Sequence, residues 1–173
     1  IINPPYKKIS TTSEHRQLLR KAGLETVNLY SAFVGMALMM LKDGGHLCAI
    51  IPRSFCNGPY YRGFRHLIRD KAAIRHMHLF DARHLAFADD GVLQENVIVL
   101  LERGGEQSAV TLSSSTDASF ADLKTREVNF DEIVRPGDQD FIIHFPSGNV
   151  QLPSAFNANP AELNIQVATG PVV

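Results

Sequence analysis

The feature that most constrains the fold is a short apolar run, His46 to Ile51, between Asp43-Gly44-Gly45 and Pro52. Six residues with no polar alternation, bounded by breakers on both sides, read as a strand buried on both faces. Segments of helical period surround it. Residues 13–22 read as a short helix with Ser13 as N-cap and Gly23 as its stop. Thr26 is placed to cap a helix over 27–42, whose apolar Leu29, Phe33, Met36, Ala37 and Met40 recur at three- and four-residue steps. A third helix over about 59–70 is expected to turn Tyr60, Phe64, Leu67 and Ile68 inward and its arginines outward. Strands are expected at 73–81 and 96–102, with a loop over 82–95 between them. Alternating elements of this kind imply an α/β fold, with a mostly parallel sheet covered on both faces.

In such sheets ligands bind beyond the carboxyl ends of the strands. Two strings fall at that edge: Asn3-Pro4-Pro5-Tyr6 after the first strand end, and Pro52-Arg53-Ser54 after the next strand. The tetrapeptide suits one kind of chemistry. An amino group on a planar ring or acyl carbon is a poor nucleophile, because its lone pair is delocalised. The Asn3 side-chain oxygen and the Pro4 carbonyl can each accept one of its N–H groups, drawing the nitrogen toward sp³ geometry. Pro4 and Pro5 stiffen the turn and remove two donors, and Tyr6 offers a flat face for a planar base. The same string also serves as a strand end with a Pro-rich turn, and Pro-Pro-Tyr suits modules that read polyproline conformation.

Composition narrows the class. The chain has 173 residues, 45% hydrophobic and 20% charged, and its net charge of −1 hides an asymmetry. Residues 1–84 hold 13 Lys/Arg against 5 Asp/Glu, and residues 85–173 hold 4 against 13. The basic part is densest from Arg53 to Arg83, which suits a polyanion and equally a solvated helix face. No run approaches 18 apolar residues and no leader pattern is visible, so neither a membrane span nor a signal peptide is indicated. Cys48 and Cys56 form no zinc set or disulfide framework, which fits a reducing cytoplasm. The opening Ile1-Ile2 without Met gives the expectation that the chain is cut from something longer.

Residues 103–173 are acidic and irregular. Gly104-Gly105 and Ser113 to Thr116 mark loops, apolar pieces at 109–112, 141–145 and 163–168 are candidate strands, and Pro136-Gly137-Asp138 and Pro146 to Asn149 are turns. The division expected is a part over 1–103 and a β-rich extension over 104–173. His76 and His78 lie two apart on a strand and so share a face, but no third metal ligand is identifiable. Asp89-Asp90 need no role beyond a turn, and Ser54 lacks a His and Asp for hydrolysis.

With these segments placed, the chain resembles the amino-group DNA methyltransferases that make N6-methyladenine, above all the large enzymes of restriction–modification systems. The resemblance rests on Asn3-Pro4-Pro5-Tyr6, Asn28 to Phe33, Leu41 to Leu47 with Ile50-Ile51-Pro52, Phe87 with Gln94 to Leu101, and Val167 to Gly170. It covers 1–103 well and the rest thinly. It implies part of a Rossmann-like methyltransferase fold dependent on S-adenosylmethionine (SAM), a mostly parallel sheet with a terminal antiparallel strand, then the β-rich extension. It also implies site roles. Asn3 and Pro4 would hold the adenine amino group, Tyr6 and Phe87 would pack on the base, and Phe33, with Leu29 on the same helix face, would contact the adenine of SAM.

Read from the residues alone, Phe87 and Phe33 also suit core packing. The partner implied is double-stranded DNA with a flipped adenine, in the cytoplasm and away from membranes. The family's glycine-rich cofactor loop precedes the tetrapeptide, and only two residues do so here, so the chain is expected to be inactive alone. An open first strand would also invite self-association through the sheet edge. Two rivals use similar acceptor chemistry, a glutamine-amide and an rRNA guanine-N2 methyltransferase. A third is a non-catalytic DNA-binding scaffold.

Overall fold

The computed structural model describes residues 1–81 and 95–146. Residues 82–94 of the loop expected over 82–95, with Phe87 and Asp89-Asp90, the strand expected at 163–168 and the Val167 to Gly170 motif lie outside these residues.

Helix α1 (Glu14–Lys21) starts where Ser13 accepts the Arg16 backbone N–H at 3.3 Å and ends before Gly23, whose φ of 80° only glycine adopts freely. Helix α2 (Leu29–Met40) begins after Asn28, two residues later than Thr26 predicts. Thr26 does not cap it: its hydroxyl is turned into a buried cluster with the Ser31 hydroxyl and the Asn28 carbonyl. Strand β1 (His46–Pro52) is followed by 3₁₀ turns at Arg53–Cys56 and Pro59–Tyr61, then by α3 (Arg62–Lys71) and β2 (Ala72–Phe80). Strands β3 (Asn96–Arg103), β4 (Val110–Ser115) and β5 (Lys124–Val128) and a one-turn helix α4 (Phe130–Ile133) complete the described order.

The five strands form one mixed sheet in the order β1-β3-β2-β4-β5. Strand β3, which closes the α/β part of the sequence, is antiparallel as expected, and it lies between β1 and β2, paired to both. Strand β4 is parallel to β2, and β5 is antiparallel to β4. Strands β1, β2 and β4 therefore run the same way and end at one edge. On the outer side of β1, Ile2 makes a parallel bridge to Ala49, with Ile2 N–H donating to Cys48 O at 2.9 Å and Ile50 N–H to Ile2 O at 3.2 Å. This bridge carries the chain to the same edge at Asn3.

Several side chains depart from the sequence reading. Tyr60 is 79% exposed, because the first residues of the expected helix form a 3₁₀ turn instead. Arg65 is fully buried at 0% exposure, on the same face as Phe64 and Ile68. It is inward because carbonyls need it: its guanidinium donates to Phe55 O (3.2 Å), Gly58 O (2.9 Å) and Asp140 O (2.9 Å). Ser113 to Ser115, expected in a loop, lie in β4, where their polarity is matched by histidines on β2. His76 Nε2 and His78 Nδ1 both meet Ser113 Oγ, at 2.7 and 2.8 Å, and His78 Nε2 meets Ser115 Oγ at 3.1 Å. The apolar piece at 141–145 is not a strand; Ile143 and His144 bond singly to Cys56 O and Ile133 O.

The core is continuous across the sheet, from Tyr30, Val34 and Leu38 of α2 to Val110, Val128, Ile133 and Phe141 of the later segment. Each such large side chain contributes about 1.5–3 kcal/mol on full burial.

Two outcomes follow for stability. Replacing Arg65 with Ala leaves three carbonyls without their donor, and denaturant unfolding should show a loss of about 3 kcal/mol. Burial holds the His76 and His78 imidazoles below their ordinary pKa, and for His78 the neighbouring His76 adds to this. The unfolded chain therefore binds more protons between the two states' values. Stability should be complete above about pH 6.5 and be lost as pH drops from there through the lower folded-state values. A His76→Gln/His78→Gln double variant should flatten this part of the pH–stability curve.

Candidate active site

The tetrapeptide is held at both ends. Upstream, the Ile2 bridge fixes it to β1. Downstream, Leu29 N–H donates to Lys7 O and Ile9 N–H to Val27 O, both at 2.8 Å, which ties residues 7–9 to the entry of α2. Two prolines between these anchors leave the turn few alternative shapes. Asn3 is exposed, Pro4 is buried, and Tyr6 is half-buried.

Within the turn, Tyr6 Oη donates to Asn3 Oδ1 at 3.1 Å and approaches Ile50 O at 3.3 Å. The Tyr6 ring packs edge-on against Tyr30, centroids 6.2 Å apart and planes at 88°. Tyr30 is itself buried between Tyr61 (5.9 Å) and Phe64 (6.3 Å). A polar seam joins these rings. Asn28 Nδ2 donates to Tyr61 Oη at 2.5 Å, Ser54 Oγ donates to Tyr61 Oη at 3.4 Å, and Tyr30 Oη lies 3.5 Å from Ser54 Oγ. Tyr6 thus presents a ring whose orientation is set by buried aromatics, beside the exposed residue Asn3.

Among the described residues the site has groups that accept and stack but no strong base or nucleophile. Burial, above all, raises the Tyr30 phenol far beyond its usual range, so it stays neutral. Burial likewise pushes the Cys56 thiol up to about 12, which removes it as a thiolate. Among the described residues no group of three or more His, Cys, Asp or Glu could hold a metal ion.

The structure brings Leu29 to the tetrapeptide through its bond to Lys7. Phe33 lies one helical turn further on and is 44% exposed, so it is not a core residue. The stripe that the sequence marks as apolar is only half that: Met36 and Met40 are also exposed, Met40 at 86%. The buried face of α2 is Tyr30, Val34 and Leu38 instead. A helix apolar all round gives no periodic signal of which face is inward. Sequence reasoning assigned no roles to Tyr30, Tyr61, Asn28 and Ser54. The signal available was polar atoms inside an otherwise apolar helix start, which when buried need partners.

The model of the Eco57I restriction-modification methylase family matches residues 1–87. The whole chain aligns with the Type II methyltransferase M.BsuBI of Bacillus subtilis at 52% identity, and with the Type II methyltransferase M.PstI of Providencia stuartii at 45%. It spans 35% of each of these relatives, about a third of their length. A solved structure from a study of type I restriction–modification assembly shares the fold, with a TM-score of 0.61 over 89% of this chain and 39% of that one, at 14% identity. The chain belongs to the Eco57I restriction-modification methylase family.

Proposed function

We propose that this chain is the base-gripping part of a site-specific DNA methyltransferase that acts on the N6 amino group of adenine within a restriction–modification system. The observation that carries the reading is the exposed Asn3 at the carboxyl edge, its amide oxygen bonded to Tyr6 Oη, beside a Tyr6 ring braced by Tyr30. Family membership and the two Type II relatives support DNA as the acceptor over a protein amide or ribosomal RNA.

On this reading the adenine leaves the duplex, at a cost of a few kcal/mol that stacking on Tyr6 helps offset. The Asn3 oxygen and the Pro4 carbonyl accept the two amino protons. Localising the nitrogen lone pair in this way makes it a nucleophile, and the charge is stabilised where it develops. When bound, SAM supplies an electrophilic methyl group on a sulfonium. Asn3 and Pro4 would position N6 to accept that methyl, the carbon–sulfur electron pair would remain with the departing donor, and N6 would give up one proton to solvent. No covalent enzyme intermediate is needed, so positioning and polarisation carry the rate. Phe87 is proposed as a second ring against the base. The half-exposed Phe33, with Leu29 near the tetrapeptide, fits a flat apolar contact for the adenine of SAM. The described residues offer no glycine-rich loop leading from a strand into a helix, and on this reading methyl transfer needs more of the protein than this chain.

No helix among the described residues is long and apolar enough to cross a membrane. Ile1, wholly exposed outside the Ile2 bridge, marks the sheet edge through which an isolated chain would self-associate.

In the full-length protein, Asn3→Ala should lower N6-methyladenine formation by about 10²–10³-fold, as removal of one preorganised polar contact does elsewhere, with DNA binding retained. Unchanged methylation by this variant would contradict the assignment and favour a scaffold role.

A further inference from the structure

The carboxyl edge holds a second feature that the methyl-transfer chemistry does not use. Where β1 ends, Pro52, Arg53 and Ser54 face Ile143, His144 and Phe145 across a cavity of about 630 Å³. A neighbouring cavity of about 420 Å³ opens between the ends of β2 and β4 and the start of β5, with Asp81, Ser114, Lys124 and Arg126 in its wall. Arg53 and Phe145 line both, so the two form one groove along the edge. Each is the size of a ligand site, roughly 300–1,000 Å³.

Arg53 is fixed at the centre of this groove. Its backbone N–H donates to Glu95 O at 2.7 Å, its guanidinium donates to Glu95 Oε2 at 2.9 Å, and the guanidinium carbon stands 4.6 Å from the Phe145 ring centroid. The side chain keeps 37% of its surface in solvent. A guanidinium carries five N–H donors in a rigid fork, of which one meets Glu95 here. A planar cation lying on an aromatic, partly open to solvent and oriented by one carboxylate, is a preorganised grip for a second anion. Lys124 and Arg126 extend the positive charge along the second cavity, which Ser114 also lines.

The groove also reaches the tetrapeptide. Ser54, next to Arg53 in sequence, meets both Tyr30 and Tyr61 through its hydroxyl, and Tyr30 packs on Tyr6. A base drawn onto Tyr6 brings its flanking phosphates toward this edge, where an uncompensated negative charge would oppose extrusion.

We propose that the groove binds the backbone of the DNA strand bearing the target base, with Arg53 gripping a phosphodiester oxygen next to that base and sharing its fork between the phosphate and Glu95. This inference rests on the DNA methyltransferase reading above.

The test uses full-length protein, wild type and Arg53→Gln, with duplexes containing the recognition sequence. Loss of one phosphate contact should weaken binding about tenfold and reduce the slope of log K against log salt by about 0.9. Arg53→Lys should keep the slope, and Arg20→Gln, on α1 away from the groove, should leave both affinity and slope unchanged. Neutral methylphosphonates placed singly beside the target adenine localise the contact. One of them should weaken the wild type and leave Arg53→Gln unaffected. An unaltered slope in Arg53→Gln, or equal loss for both proteins at every methylphosphonate, would overturn the proposal while wild-type methylation still upheld the enzyme reading. A wild type that methylates no DNA would remove that reading itself.

Discussion

The site depends on the parallel bridge between Ile2 and β1. Two hydrogen bonds, from Ile2 N–H to Cys48 and from Ile50 N–H to Ile2, align the residue before Asn3 with the strand that ends at Pro52. Because strand direction is shared, Asn3 and Arg53 leave the sheet at one edge. The bond from Leu29 to Lys7 then closes the turn against α2. Between these two ties the prolines hold the backbone, and the Tyr6 ring has Tyr30 as its support. An exposed polar group stays in place at little entropic cost because everything behind it is packed.

The core behind the site is shared by segments far apart in sequence. Arg65 joins α3 to the turn after β1 and to Asp140, and Ile143 N–H bonds to Cys56. The turn that carries Ser54 toward the tyrosines is thus braced by a residue 87 positions downstream (Cys56 to Ile143). Strand β4 adds to the same sheet through β2, so the described part of the extension continues the first layer. A perturbation near residue 140 is expected to reach the edge that carries Asn3 and Ser54 through these contacts.

How legible this was in the sequence depended on the type of signal. Strand β1 was clear because a short apolar run between Gly-Gly and Pro has one easy reading. The Ser13 cap and Gly23 stop were clear because each performs a local task. The faces of α2 were not, since Phe33, Met36 and Met40 look like core as much as Val34 and Leu38 do. Only the surrounding fold decides between them. Arg65 misled for the opposite reason: a charged residue is expected outside, and three carbonyls converging from the 53–58 turn and from Asp140 are invisible in a linear pattern. The serines of β4 read as loop because their partners, His76 and His78, lie on another strand. In the candidate site, Asn3 to Tyr6 were recognisable as a motif, but the tyrosine support behind them came from spatial neighbours.

The proposed function turns on Tyr6 receiving an extruded base at this edge. The direct measurement places 2-aminopurine at the target position of a duplex and follows its fluorescence on binding to the full-length protein. Extrusion should raise the emission by breaking base stacking, and Tyr6→Ala should raise it further by removing the ring that quenches the base. Emission that stays at the duplex level on saturating binding, in both proteins, would contradict the claim.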